Sequence, residues 1–316
     1  MNELQTQIKQ IGHTLGKVVV GQSAIVDQLL VALLSNGHVI LEGVPGTGKT
    51  LMVKVLARLI QADFCRIQLT PDILPSDILG TNVFDLNTRD FTLKRGPVFT
   101  QVLLADEVNR TPPKTQAALL EAMEEQQVTL DGVGHPLPDL FWVIATQNSL
   151  EFEGTYPLPE AQLDRFLFKL VVDYPVPQAE KQMLQNSQSG FEARQLNIQT
   201  LTALLQDKDI LAARQAVRAV KVQEHILDYL LALIQKTRQS PDLSLGASPR
   251  SAVSWLQASK AHAWLQGQDY VTPDNVKAVA LPLLRHRLIL GPEAQLDGLT
   301  THGVIMTLLK QVAVPR

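Results

Sequence analysis

The sequence predicts an α/β fold, a mostly parallel β-sheet with helices on its faces, followed by an all-helical domain. Three observations predict it. Apolar runs at residues 38–41, 98–105 and 140–146 have the unbroken hydrophobicity of strands buried on both faces. Helical patterns separate them, as where Leu51, Val55, Leu56 and Leu59 fall on one face. Beyond Tyr174-Pro175-Val176-Pro177 the strand series stops, and residues 178–186, 210–216, 223–236, 249–266 and 273–286 all carry helical patterns.

In chain order, Leu4, Ile8, Ile11 and Leu15 mark an amphipathic first helix. A second spans residues 23–34, with Ser23 as a candidate cap. The strand at 38–41 runs into a glycine-rich turn, and the helix carrying Leu51 follows. Arg66-Ile67-Gln68-Leu69 alternates like a strand, whereas residues 70–95 read as irregular, with short helices. Pro112 and Pro113 suit the start of a helix over 114–125. Asp131-Gly132-Val133-Gly134, between Gln127-Val128-Thr129-Leu130 and His135-Pro136-Leu137, signals a hairpin. The two prolines at 175 and 177 divide the chain into 1–174 and 175–316.

Composition narrows the function. With 45% hydrophobic and 19% charged residues, the 316-residue chain is globular and not disordered. A formal net charge of -3 lacks the basic excess of a dedicated nucleic-acid binder. Cys65 is the single cysteine, which excludes an intrachain disulfide. No leader and no run long enough to span a bilayer is seen, so a cytoplasmic protein without membrane insertion is expected. The seven histidines show no metal-ligand grouping.

Gly43-Val44-Pro45-Gly46-Thr47-Gly48-Lys49-Thr50 fills every required position of the phosphate-binding pattern G-x-x-x-x-G-K-[ST]. A glycine-rich turn between strand and helix leaves backbone N–H groups free to meet anionic oxygens. Lys49 is expected at the β/γ-phosphates, and the Thr50 hydroxyl on Mg²⁺; Leu51 completes the nucleotide-binding stretch. Asp106 and Glu107 end a buried strand, where parallel sheets place their ligands. Asp106 would hold Mg²⁺ through water, and Glu107 would polarise the attacking water. Asn148 closes the next strand, with an amide able to donate to phosphate and accept from water. Arg165 carries a planar fork suited to phosphate oxygens, and in a ring it would serve the neighbour's nucleotide. Arg250 follows the cap Ser248 and Pro249, so a cation opens a helix. That local conflict with the helix dipole calls for an anion, and the γ-phosphate across the domain cleft is the candidate. Val19, Gly21 and Gln22 are expected around the adenine. Arg285-His286-Arg287 reads as a surface or subunit contact, and Trp255 and Trp264 as packing residues.

Together these elements resemble the AAA+ ATPases, and within them the MoxR family. The resemblance covers residues 18–287. Residues 43–50 look like the Walker A motif and 103–107 like Walker B; Asn148 resembles sensor 1, Arg165 the arginine finger and Arg250 sensor 2. The more specific strings are Thr70-Pro71-Asp72-Ile73-Leu74-Pro75-Ser76-Asp77, Ala105-Asp106-Glu107-Val108-Asn109-Arg110, residues 119–128 and Gly154-Thr155-Tyr156-Pro157-Leu158-Pro159-Glu160. Val108 stands where isoleucine is more usual. The resemblance implies a P-loop NTPase core with a helix-2 insertion at 77–95 and a hairpin at 127–138 before sensor 1, then a helical lid. It implies ATP and Mg²⁺ as cofactors and a hexameric homo-oligomeric ring. It also implies a chaperone-like action on client proteins, often ones with von Willebrand factor A domains. A nucleic-acid motor of helicase type and a metal-chelatase motor subunit are the competing readings. The former is disfavoured because the hairpin tip, residues 131–134, has no Lys or Arg, and residues 85–90 are of mixed charge.

Overall fold

The structure is a computed structural model describing residues 3–87, 89–148, 154–189 and 201–315; Thr88, inside the expected insertion, lies outside them. Among the described residues, nine strands belong to the first part of the chain. They are β1 (Val39–Gly43), β2 (Phe64–Gln68), β3 (Gly80–Asp85), β4 (Asp90–Arg95), β5 (Val102–Asp106), β6 (Gln127–Leu130), β7 (Val133–Pro136), β8 (Trp142–Gln147) and β9 (Phe168–Val172). Five of them form one sheet in the order β2-β5-β8-β1-β9. Every pairing in it is parallel.

Alternation along each strand decides which face a side chain serves. Val39, Leu41, Leu104, Ile144 and Leu170 join one apolar cluster with the helices Glu3–Val18, Ser23–Leu34 and Lys49–Leu59. Ile40, Leu103, Val143 and Ala145 join a second, under the helix Pro113–Glu125. Burial on both faces explains why these strands read as unbroken apolar runs.

The first cluster continues without a break into the later helices, where Trp255 and Trp264 are buried as expected. Gln5 Nε2 donates to the Trp264 carbonyl at 3.1 Å, so the first helix docks on the helix Pro249–Leu265. A short antiparallel pair, β10 (Leu243–Leu245) with β11 (Ile289–Leu290), interrupts the helical part.

Three further features depart from the sequence reading. β9 carries Lys169 at its second position, which breaks the apolar run; its ammonium pairs with Glu42 on β1 at 2.9 Å. Within the expected insertion, β3 and β4 pair as an antiparallel hairpin, and the short helix Pro75–Leu79 precedes it. Its strands are largely exposed, so no burial pattern announced them; Phe84 and Phe91 sit opposite each other with ring centroids 5.3 Å apart. Ser23 does not cap its helix, whose cap position is Gln22. The β6–β7 hairpin forms as expected, with Asp131 at φ 50° and Gly132 at φ 80° supplying the paired positive values of a two-residue turn.

Candidate active site

The parallel sheet brings the carboxyl ends of β1, β5 and β8 side by side. The glycine-rich turn leaves β1, Asp106 ends β5, and Gln147 ends β8. Residues 45–51, Asp106, Glu107, Thr146, Gln147 and Asn148 therefore line a single cleft of about 440 Å³. An adjoining cleft of about 690 Å³ shares Pro45, Gly46, Thr47, Gly48 and Leu51, and is walled by Val19, Tyr174 and Met183. One end offers charged side chains and the glycine-rich turn, the other apolar surface, as a nucleotide's phosphates and base require.

Gly46 and Gly48 hold φ values of 84° and 82°, which turn successive N–H groups toward the cleft. Gly48 is the cap of the helix Lys49–Leu59, whose dipole favours an anion there. Lys49 Nζ donates to the carbonyls of Gly43 at 2.5 Å and Val44 at 2.8 Å. Burial lowers the Lys49 pKa, while Asp106 and Glu107 oppose that shift. Gly43 and Val44 thus hold the lysine rather than line the cleft.

Thr146 of β8, buried and unforeseen, ties the acidic pair together. Its hydroxyl donates to Asp106 Oδ1 and accepts from the Glu107 N–H at 2.9 Å. Glu107 has φ 60° and ψ 51°, a left-handed backbone that costs a non-glycine residue roughly 1–2 kcal/mol. Such strain recurs at functional positions. The Glu107 carboxylate lies 3.5 Å from Arg110 Nε, and Asp106 Oδ2 accepts from Arg66 Nε at 2.9 Å and Nη2 at 2.7 Å. Arg66 was legible only as part of an alternating strand.

Among the described residues no group of three or more His, Cys, Asp or Glu comes together to hold a metal. The cleft instead offers the Thr50 hydroxyl and the Asp106 carboxylate. That donor set fits Mg²⁺, which keeps most of its waters and takes one or two protein ligands beside phosphate oxygens.

Of the residues expected around the base, Val19 lines the adjoining cleft and Gly21 and Gln22 do not. Gln22 Nε2 donates to the Asp173 carbonyl at 2.9 Å. A Cβ on Gly21 would lie 2.7 Å from that of Ala179. Both residues brace the segment behind Tyr174.

Arg165 and Arg250 lie elsewhere. Arg165 Nε is 2.7 Å from Glu124 Oε2, and Arg250 Nη2 is 3.0 Å from Glu124 Oε1. They line a separate cleft of about 270 Å³ with His38 and Leu167, at the amino ends of β1 and β9. A five-residue strand spans about 16 Å, so they sit roughly one strand length from the glycine-rich turn. This corrects the expected approach of Arg250 to the phosphate of its own chain. The anion that a cation at this helix start requires is Glu124. Ser248 does cap the helix, accepting from the Ser251 N–H at 3.0 Å.

Arg285-His286-Arg287 also needs correction, because His286 and Arg287 are buried. Arg287 Nε donates to Asp164 Oδ1 at 2.6 Å, and its Nη groups donate to the carbonyls of Phe166 at 2.7 Å and Leu167 at 2.9 Å. His286 Nε2 donates to the Phe166 carbonyl at 3.0 Å. Asp164 accepts from Ser248 Oγ at 3.1 Å as well. The loop bearing Arg165 is therefore locked to the helix bearing Arg250.

Comparison with known proteins bears on the fold and the family. Residues 38–168 match the ATPase family associated with various cellular activities, and residues 235–307 match the AAA lid domain. The chain is 41% identical to Chaperone MoxR1 of Mycobacterium tuberculosis, over 95% of this chain and 80% of that protein. It belongs to the MoxR family of AAA+ ATPases. It is also 45% identical to the uncharacterized protein YeaC of Bacillus subtilis, over 97% of this chain and 94% of the relative. Protein MoxR of Paracoccus denitrificans is 29% identical, over 92% and 91%. The crystal structure of a candidate ATPase from Cytophaga hutchinsonii superposes with a TM-score of 0.89 at 39% identity, covering 99% of this chain and 96% of that one.

This MoxR-family ATPase is thus an ATP hydrolase with a parallel α/β core and an AAA lid. Its extended strings brace the acidic turn. Gln116 Nε2 donates to the carbonyls of Val108 at 3.0 Å and Tyr156 at 2.9 Å, and the Tyr156 N–H donates to the Asn109 carbonyl at 2.6 Å. Thr115 Oγ1 donates to the Ile73 carbonyl at 3.0 Å. Among the described residues, no helix is long and apolar enough to cross a membrane.

Proposed function

We propose that this MoxR-family chain is a Mg²⁺-dependent ATPase acting as a hexameric ring in the cytoplasm, with residues 1–174 as core and 175–316 as lid. The ring remodels or activates partner proteins. The observation that carries the reading is the separation of two half-sites. Lys49, Thr50, Asp106, Glu107 and Asn148 border the carboxyl-end cleft, while Arg165 and Arg250 stand together at the amino end. Guanidinium groups placed there can stabilise charge on a γ-phosphate only when that phosphate is bound to a neighbouring subunit.

In this reading Lys49 leaves the carbonyls of Gly43 and Val44 for the β/γ-phosphates. Thr50 and Asp106 hold Mg²⁺, which when bound neutralises phosphate oxygens. Glu107 polarises the attacking water, and Asn148 orients it against the γ-phosphate. Val19 and Tyr174 flank the base.

The M. tuberculosis relative is named a chaperone, and the surface here suits a protein client. Val83, Phe84, Leu86 and Phe91 are exposed on the β3–β4 hairpin, and the β6–β7 turn, Asp131-Gly132, carries no cation. A client or co-factor protein with a von Willebrand factor A domain is the proposed partner.

Mixing tests the assembly. Lys49→Ala and Arg165→Ala proteins should each be nearly inactive, and their mixture should exceed the sum, because some interfaces join an intact loop to an intact arginine. The same holds for Arg250→Ala. No gain in rings shown to contain both variants overturns the trans assignment. Capture with Glu107→Gln protein and ATP, followed by identification of what is retained, tests the client class.

A further inference from the structure

Arg66 does something the hydrolysis scheme leaves unused. It lies on β2, where Arg66 is in register with Leu104 of β5 and Gln68 with Asp106. Its side chain runs along the sheet to Asp106, with Nε and Nη2 both donating to Oδ2, at 2.9 and 2.7 Å. Gln68 Oε1 accepts from the same Nη2 at 2.9 Å and fixes the fork. Thr146 engages the other carboxylate oxygen. The carboxylate meant for a metal is therefore already matched by a cation.

The neighbouring charges point the same way. Arg110 stands beside Glu107, and Lys49 feels both carboxylates. Lys49, Arg66 and Arg110 thus all stand around Asp106 and Glu107. A bare divalent cation would have to displace Arg66 from Asp106 with other cations close by. A metal–nucleoside triphosphate complex carries net negative charge and would be drawn in. The exposures indicate which partner moves. The Arg66 side chain is 48% exposed and that of Asp106 only 12%. Arg66 can swing into water at little cost, whereas Asp106 left without a partner would be a poorly solvated charge.

We propose that Arg66 is a built-in counter-ion that keeps bare divalent cations off Asp106, so that metal enters this site only together with nucleotide. The inference rests on the reading that Asp106 holds Mg²⁺. Arg66 then serves order of binding, and its removal uncouples the metal from the nucleotide.

Mn²⁺ binding followed by electron paramagnetic resonance tests this on the full chain, without turnover. Nucleotide-free parent protein should bind Mn²⁺ weakly. Arg66→Gln should bind it at least about tenfold more tightly, the scale of removing one paired charge from a partly exposed carboxylate. Adding Asp106→Asn to Arg66→Gln should abolish that gain. With a non-hydrolysable ATP analogue present, parent and Arg66→Gln should bind Mn²⁺ alike, and Asp106→Asn more weakly. Should Arg66→Gln fail to fold, Arg66→Thr, which suits a strand, repeats the measurement. A neutral variant that binds Mn²⁺ no more tightly than the parent, while Asp106→Asn still weakens the nucleotide-bound metal, overturns the counter-ion role alone. Unchanged Mn²⁺ binding in Asp106→Asn with the analogue overturns the metal reading, and the inference with it.

Discussion

Arg165 and Arg250 hold the two oxygens of one carboxylate, that of Glu124, at 2.7 and 3.0 Å. Without Glu124 the two guanidinium groups would repel each other and lose their shared anchor. Glu124→Ala should therefore lower kcat of the assembled ATPase by roughly 10–100-fold, the scale of a misplaced catalytic group. Nucleotide affinity should change little, because the glycine-rich turn is at the other end of the sheet. Folding stability should move by about 1 kcal/mol or less, since all three side chains are partly exposed. Phosphate release and nucleotide titration on one preparation decide it: affinity falling in step with kcat would mean that Glu124 acts on the fold.

Lys49 and Glu107 should fail differently. Lys49→Ala removes a cation from the phosphate cradle, so binding and hydrolysis should drop together. Glu107→Gln leaves the cradle intact but removes the carboxylate proposed to polarise water. It should bind ATP nearly as the parent does, with turnover reduced about 100-fold or more. Equal turnover of Glu107→Gln and parent would take Glu107 out of the mechanism.

Thr146 offers a test of the strained turn. Thr146→Val keeps the shape but leaves the Glu107 N–H without its acceptor and Asp106 Oδ1 without its donor. The expected loss of stability is about 1–3 kcal/mol in urea unfolding, the cost of unpaired buried polar groups. Turnover should fall as the left-handed backbone at Glu107 relaxes. Thr146→Ser restores the hydroxyl and should recover most of both. A valine variant with parental turnover would show that the hydroxyl does not position Glu107.

These tests also show what the sequence made legible. The central strands and the glycine-rich turn were readable because burial on both faces and phosphate binding each impose a local pattern. Lys49, Asp106 and Asn148 meet in one cleft because parallel strands place their carboxyl ends together, which is a rule of topology. Arg66, Thr146 and Glu124 were not readable. Each acts through a partner 40 or more residues away in sequence, and none breaks a local pattern. Arg250 shows the intermediate case. The clash between its charge and the helix start correctly demanded an anion, but only the fold could name Glu124. Arg287 misled because its local setting, a cation late in a helix, is equally content in water; burial against Asp164 is a tertiary fact.

His38 sets a limit on acid stability. It is buried, and burial pushes its pKa down to about 4; a hydrogen bond to the Met123 carbonyl opposes that shift and Arg214 adds to it. The ring is held as the neutral form, with Nδ1 accepting from the Val143 N–H at 3.0 Å and Nε2 donating to Met123 at 3.3 Å. His286 is lowered in the same direction, by burial and then by Arg287. For a group whose folded pKa lies below its unfolded value of 6.5, the unfolded chain binds more protons in the interval between. The stabilisation is complete above pH 6.5 and is lost as pH falls toward 4, by about 3 kcal/mol for His38. His38→Gln can still accept from Val143 and donate to Met123, but it cannot take up a proton. The variant should be somewhat less stable at pH 7, and its unfolding free energy should fall less steeply than the parent's between pH 6.5 and 4. Urea unfolding of both proteins across that range measures the difference, and parallel curves would show that His38 is not the group that titrates.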